Sequence, residues 1–149
     1  MSTITRMTSD RTPCRVAPSA LALLASARQG LAGAEREVSA SGRYVGAHLA
    51  ALRAAAAIVA ARSEPMSPRR RRPQSVWELL PRVEPTLSEW AAFFAAGAGK
   101  RAAAEAGLPR AVTSREADEL LRDAATFVGL AENALGVSEQ ALFPLSAAI

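Results

Sequence analysis

The stretch that decides the fold is "SGRYVGAHLAALRAAAAIVAARSEP", residues 41–65. Alanine is its commonest residue and the strongest helix former, and no proline interrupts it before Pro65. Val45, Leu49, Leu52, Ala56 and Val59 recur at three- and four-residue steps, which predicts one apolar face. Ala51, Ala55 and Ile58 widen that face, so the helix is expected to lie centrally and touch more than one partner. The same stretch holds the only histidine of the chain, His48, five residues after Arg43.

Working outward, "SASG" at 39–42 breaks any preceding helix and offers Ser39 or Ser41 as an N-cap. Upstream, Ala20, Leu24, Ala27, Leu31, Ala34 and Val38 form one stripe of an amphipathic helix whose first turn contains Pro18. Ala27, Gly30 and Ala34 make part of it narrow enough for a close neighbour. Downstream, "SEPMSPRRRRPQS" places three prolines around four arginines and reads as a loop. "SVWELLP" predicts a short helix stopped by Pro81. A longer one begins at Pro85, with Leu87, Trp90, Ala91 and Phe94 inward and with Gly97 and Gly99 as points of bending or ending. Thr113 and Glu116 fit a capping box before a stripe of Ala117, Leu121, Ala124, Val128, Ala131 and Leu135, and Gly136 fits a C-cap.

The expected organisation is therefore an all-α bundle of four to five helices. Residues 1–17 read as a polar, disordered leader, 18–136 as the helical domain with a basic loop at 63–74, and 137–149 as a tail. The amino end lacks a basic segment followed by an apolar run and a small-residue cleavage site, so no secretory signal is expected, and the mild apolar run 44–61 contains His48 and Arg53, a poor membrane span. A soluble, cytoplasmic protein is expected, with no membrane association. Cys14 is the sole cysteine, which excludes an internal disulfide. One histidine and one cysteine leave no His/Cys metal site, no phosphate-binding glycine loop is present, and no cofactor is expected.

Charge is divided along the chain. Residues 1–74 hold 12 Arg against 4 acids, a balance of +8, whereas residues 75–149 hold 6 Lys/Arg against 10 acids, a balance of −4. Such a division suits a polyanion-binding face or self-association into a homodimer. Arg69, Arg70, Arg71 and Arg72 are the candidate phosphate contacts; Trp77 and Trp90, at helical spacing with leucines and Phe94, are expected in the core rather than against bases.

The order of these elements resembles the HEPN superfamily, in a small actinobacterial branch. The carriers of the resemblance are "RYVGAHLAALRAAAAIVAAR", "VWELLP", "EWAAFFAAGAGKRAAAEAG" and "READELLRDAATFVGLAE", within residues 18–135. The resemblance implies an antiparallel helical bundle, often dimeric, that binds RNA or cleaves it without a metal in stress and defence systems. It also implies a catalytic arginine followed a few residues later by histidine, a spacing that only Arg43 and His48 satisfy. In catalytic relatives the pair lies in the late helix, with a polar residue after the arginine. Here it lies in the second helix, Tyr44 follows Arg43, and the late helix has no histidine.

An RNA-cleaving pair would use histidine as the proton acceptor for the 2′-hydroxyl and arginine to stabilise charge on the phosphate. Positions five apart, however, stand about 140° apart around a helix. An arginine in a first turn is also disfavoured by the helix dipole unless an anion lies there. The favoured reading is a non-catalytic, nucleic-acid-associated domain. The alternatives are a metal-independent endoribonuclease using Arg43 and His48, and a helical adaptor for a protein partner such as a nucleotidyltransferase or a repair protein. If both residues are structural, His48→Ala is expected to cost about 1–3 kcal/mol and Arg43→Ala little.

Overall fold

The computed structural model describes residues 16–63 and 74–137. The leader, Cys14, Arg69 to Arg72 and the tail from residue 138 lie outside the described residues. The described chain forms five α-helices and no strand: α1 (Pro18–Arg36), α2 (Ala40–Arg62), α3 (Val76–Val83), α4 (Ser88–Glu105) and α5 (Ser114–Ala134). One 3-10 turn, Pro85–Leu87, joins α3 to α4.

Helix α2 is the axis of the bundle. It packs most extensively on α1 and α5 and also touches α3 and α4. Its buried residues are Tyr44, Ala47, His48, Ala50, Ala51, Ala54, Ala55, Ala57 and Ile58, whereas Val45, Leu49, Leu52, Ala56 and Val59 are only half-buried. The face expected from hydrophobicity is thus the flank of the real one. The cause is close approach, because neighbours on several sides come nearest where the side chains are smallest. A Cβ on Gly46 would stand 2.9 Å from Ala34 Cβ, so α1 and α2 meet almost backbone to backbone. By length and composition α2 alone among the described helices could cross a membrane, yet half of its most apolar window is buried in this bundle.

On α1 the stripe from Ala20 to Ala34 is buried as expected, but Val38 is not part of it. The helix ends at Arg36, and Val38 sits in the turn to α2 with 94% of its surface exposed. Ser39, not Ser41, caps α2, its Oγ accepting from the Gly42 amide at 2.9 Å.

Pro81 does not stop α3. The helix continues to Val83, and the Leu80 carbonyl accepts from the Glu84 amide at 2.9 Å. A proline forfeits its own amide bond but leaves later ones available, and buried Trp77 and Leu80 anchor the turn against the core. Gly97 and Gly99 likewise neither bend α4 out of helical form nor end it; α4 closes at Glu105, followed by Gly107 at φ 75°. The capping box of Thr113 and Glu116 is formed in both directions. Gly136, at φ 69°, completes a left-handed cap in which the Val137 amide donates to the Glu132 carbonyl at 2.8 Å and Val137 itself is buried. On α5 the buried positions include Leu120, Phe127 and Glu132, while Leu121 and Leu135 are half-buried.

Beside α2, α3, α4 and α5 meet through aromatic rings. Trp77 stacks on Phe94 with centroids 5.2 Å apart, and Phe94 packs edge-on to Phe127 at 5.1 Å. Burying a ring the size of Phe94 completely contributes about 2–3 kcal/mol. Both tryptophans belong to this cluster, Trp77 buried and Trp90 half-buried.

Candidate functional site

Helix α2 carries Arg43 in its first turn and His48 one and a half turns later, and the two side chains take different partners. Arg43 Nη1 donates to the carbonyls of Val38 at 2.8 Å and Glu37 at 3.2 Å, where the chain leaves α1. Its Nε donates to Asp118 Oδ1 on α5 at 3.2 Å. The arginine thus satisfies two carbonyls of the turn between α1 and α2. An anion at the head of α2 is also supplied from within the fold, by Asp118. Arg43 is a strut between the α1–α2 turn and α5, with 15% of its side chain exposed.

His48 faces α3 and α4 and is fully buried. Its ring lies edge-on to Trp77 and Phe94, with centroids 6.0 and 5.9 Å away. Nε2 is 2.8 Å from the Phe94 carbonyl oxygen, which can only accept, so Nε2 carries a proton and donates. Nδ1, 3.2 Å from Arg101 Nη1, therefore accepts from the guanidinium. Arg101 Nε in turn donates to Glu105 Oε1 one turn further along α4, at 3.0 Å. Both ring nitrogens of His48 are thus spent inside the protein, in the neutral tautomer.

Burial pushes the His48 imidazolium below the ordinary histidine range; the Phe94 hydrogen bond opposes this, the Arg101 charge adds to it, and Glu105 opposes it. Space around the ring is tight. A Cβ on Gly97 would lie 3.0 Å from Tyr44 Oη and 3.5 Å from His48 Cδ2, so glycine lets α4 cross α2 here.

The structure therefore does not bring Arg43 and His48 into one cluster. The arginine that meets His48 is Arg101, from another helix, 53 positions away. Sequence reasoning did not find it, since only an i,i+4 match to Glu105 marks Arg101 locally. It also missed the ion pair of Arg28 with Glu132, whose Nε to Oε2 distance is 2.9 Å and whose carboxylate is buried. A signal existed there, for Glu132 falls four residues after Val128 on the buried face of α5. Arg69 to Arg72 lie outside the described residues. Among the described residues no three His, Cys, Asp or Glu side chains gather closely enough to hold a metal ion.

No curated protein and no solved structure matches the chain. A family model does, that of the SAV_6107-like HEPN domains, over residues 34–132. This range runs from the end of α1 through nearly all of α5, and so contains Arg43, His48, Arg101 and the aromatic cluster. A match over about two thirds of the chain, on a helical bundle of this order, is enough to assign it: the chain belongs to the HEPN domains, in the SAV_6107-like family.

Proposed function

We propose that this HEPN domain is a non-catalytic, nucleic-acid-associated module of a cytoplasmic stress or defence system, working as a two-fold homodimer. The observation that carries the non-catalytic part is the spent state of His48. A general base must reach a substrate hydroxyl within about 3 Å, and a ring with no exposed surface and both nitrogens engaged offers no such atom. Arg43 is likewise engaged by the α1–α2 turn and Asp118. The binding part rests on the +8 balance of residues 1–74, and the run Arg69 to Arg72 supplies its densest charge.

The test is purified protein with single-stranded RNA in excess chelator, beside His48→Ala, Arg43→Ala and an Arg69–Arg72 fourfold alanine variant. The expected outcome is no cleavage by any of them. The parent binds RNA with an affinity that falls with salt. The fourfold variant binds more weakly, its salt slope shallower by about 0.7–0.9 log units for each phosphate it no longer engages. Chelator-resistant cutting that vanishes with His48 would establish the endoribonuclease instead, and no RNA binding at all would leave the protein-adaptor reading. Light scattering is expected to return a dimer; a monomer at high concentration would remove the self-association part.

A further inference from the structure

Helices α4 and α5 both lean on α2, but their backbones stand apart and they meet through rings, Trp90 and Phe94 on one side and Phe127 on the other. The gap opens to solvent as a furrow. One basin, of about 330 Å³, is walled by Glu89, Trp90, Phe93 and Asp123. A second, of about 200 Å³, shares Phe93 and Asp123 and continues toward Tyr44 and Leu120. Phe93 is 45% exposed, the one exposed large aromatic side chain among the described residues. Helix α4 has no charged residue between Glu89 and Lys100, a stretch of about 15 Å, and from it Trp90 and Phe93 line the furrow.

The rim is predominantly acidic: the second basin is also lined by Glu116 and Glu119, and the one cation in its lining, Lys100, is paired with Glu116. Glu89 and Asp123 form no ion pair among the described residues, and Glu119 beside them is paired only with the exposed Arg115. Acids gathered around an apolar strip, on a chain whose net charge is +4, repel a phosphate backbone and attract a cation. A cleft between two helices with aromatic rings along its wall accommodates a third helix by its apolar face.

We propose that the α4–α5 furrow docks a cationic amphipathic helix of a partner protein. Its apolar ridge lies over Trp90 and Phe93, and its flanking lysines or arginines face Glu89 and Asp123. The uncharged stretch of α4, about 15 Å, matches about three turns of such a helix. The proposal does not depend on the nucleic-acid reading.

The experiment uses the full chain and a synthetic 18-residue peptide with leucines at helical i, i+3, i+4, i+7 spacing and lysines elsewhere, beside the same peptide with glutamates for lysines. Affinity is followed by titration calorimetry. The lysine peptide is expected to bind, and more weakly as salt rises; the glutamate peptide is expected not to bind. Phe93→Ala should weaken binding tenfold or more, since an exposed aromatic anchor is a typical hot spot, while the melting temperature stays near the parent's. The double variant Glu89→Gln/Asp123→Asn should weaken it by about tenfold and flatten its salt dependence. Equal binding of the two peptides, no binding of either, or an affinity untouched by both variants would overturn the proposal. So would a homodimer that Phe93→Ala splits, because the furrow would then belong to a second copy.

Discussion

Replacing His48 separates a structural from a chemical role, because the structure fixes what the ring contributes. His48→Ala removes the donor to the Phe94 carbonyl and the acceptor for Arg101, each worth about 1 kcal/mol net. It also empties a fully enclosed ring site between Trp77 and Phe94, in a core that collapses only partly. Adding about 1–2 kcal/mol for that cavity gives a loss of about 3–4 kcal/mol, somewhat above the value expected from sequence, which counted one hydrogen bond and a cavity. For a domain of this size about 1 kcal/mol lowers Tm by about 4 °C, so the expected drop is about 12–16 °C in a thermal melt followed by circular dichroism.

His48→Gln is the informative companion. Its side-chain amide can reach the Phe94 carbonyl while filling much of the ring's volume, and it should recover about half of the loss. The reasoning would be refuted if His48→Ala melted within about 3 °C of the parent, since a fully buried, doubly bonded ring cannot be removed so cheaply. It would fail equally if glutamine recovered nothing, because the hydrogen bond to Phe94 would then not be what the ring supplies.

Three further outcomes follow from the same geometry. Because burial holds the His48 imidazolium below its ordinary value of 6.5, the unfolded chain binds the extra proton first; the stability this residue contributes is complete above about pH 6.5 and lost as pH falls toward the folded-state value, so the parent should lose more Tm than His48→Gln between about pH 8 and pH 5. Arg43→Ala should cost about 1–2 kcal/mol in urea unfolding, because it unbonds two carbonyls of the α1–α2 turn and leaves Asp118 alone; a loss below about 0.5 kcal/mol would return Arg43 to an exposed, idle role. Gly99→Ala should stabilise by about 0.5–1 kcal/mol, since nothing lies within 4 Å of the added Cβ, whereas Gly97→Ala should fall short of that gain because its Cβ meets Tyr44 Oη at 3.0 Å; equal effects in thermal melts would mean that α4 does not cross α2 at Gly97.

Much of the fold is legible from spacing. The α1 stripe, the Ser39 cap, the Thr113–Glu116 box and the Gly136 cap are local devices, each decided by a few neighbouring residues, and local physics suffices to read them. The burial order on α2 is not local. Hydrophobicity ranks Leu49 and Leu52 above Ala47, Ala50 and Ala54, yet the alanines are fully buried, because the depth of a position in a bundle depends on how near the neighbouring backbones come. Pro81 fails as a stop for a related reason. The cost of one missing amide bond is weighed against the burial of Trp77 and Leu80, which spacing within α3 alone does not report.

The candidate site shows the same boundary more sharply. The angular offset of Arg43 and His48 is legible in their five-residue spacing, and their different partners follow from it. Which partners they take is not legible, since Asp118 and Arg101 come from helices 75 and 53 positions away. An arginine at the head of a helix asks for a negative group, and the sequence permits two answers, a bound phosphate or a part of the fold. In the fold, Asp118 and the carbonyls of Glu37 and Val38 occupy that role together, so a phosphate at this point would have to displace three acceptors already in place. Nucleic-acid affinity is therefore expected to be insensitive to Arg43 and to depend on arginines that no carboxylate of the bundle engages.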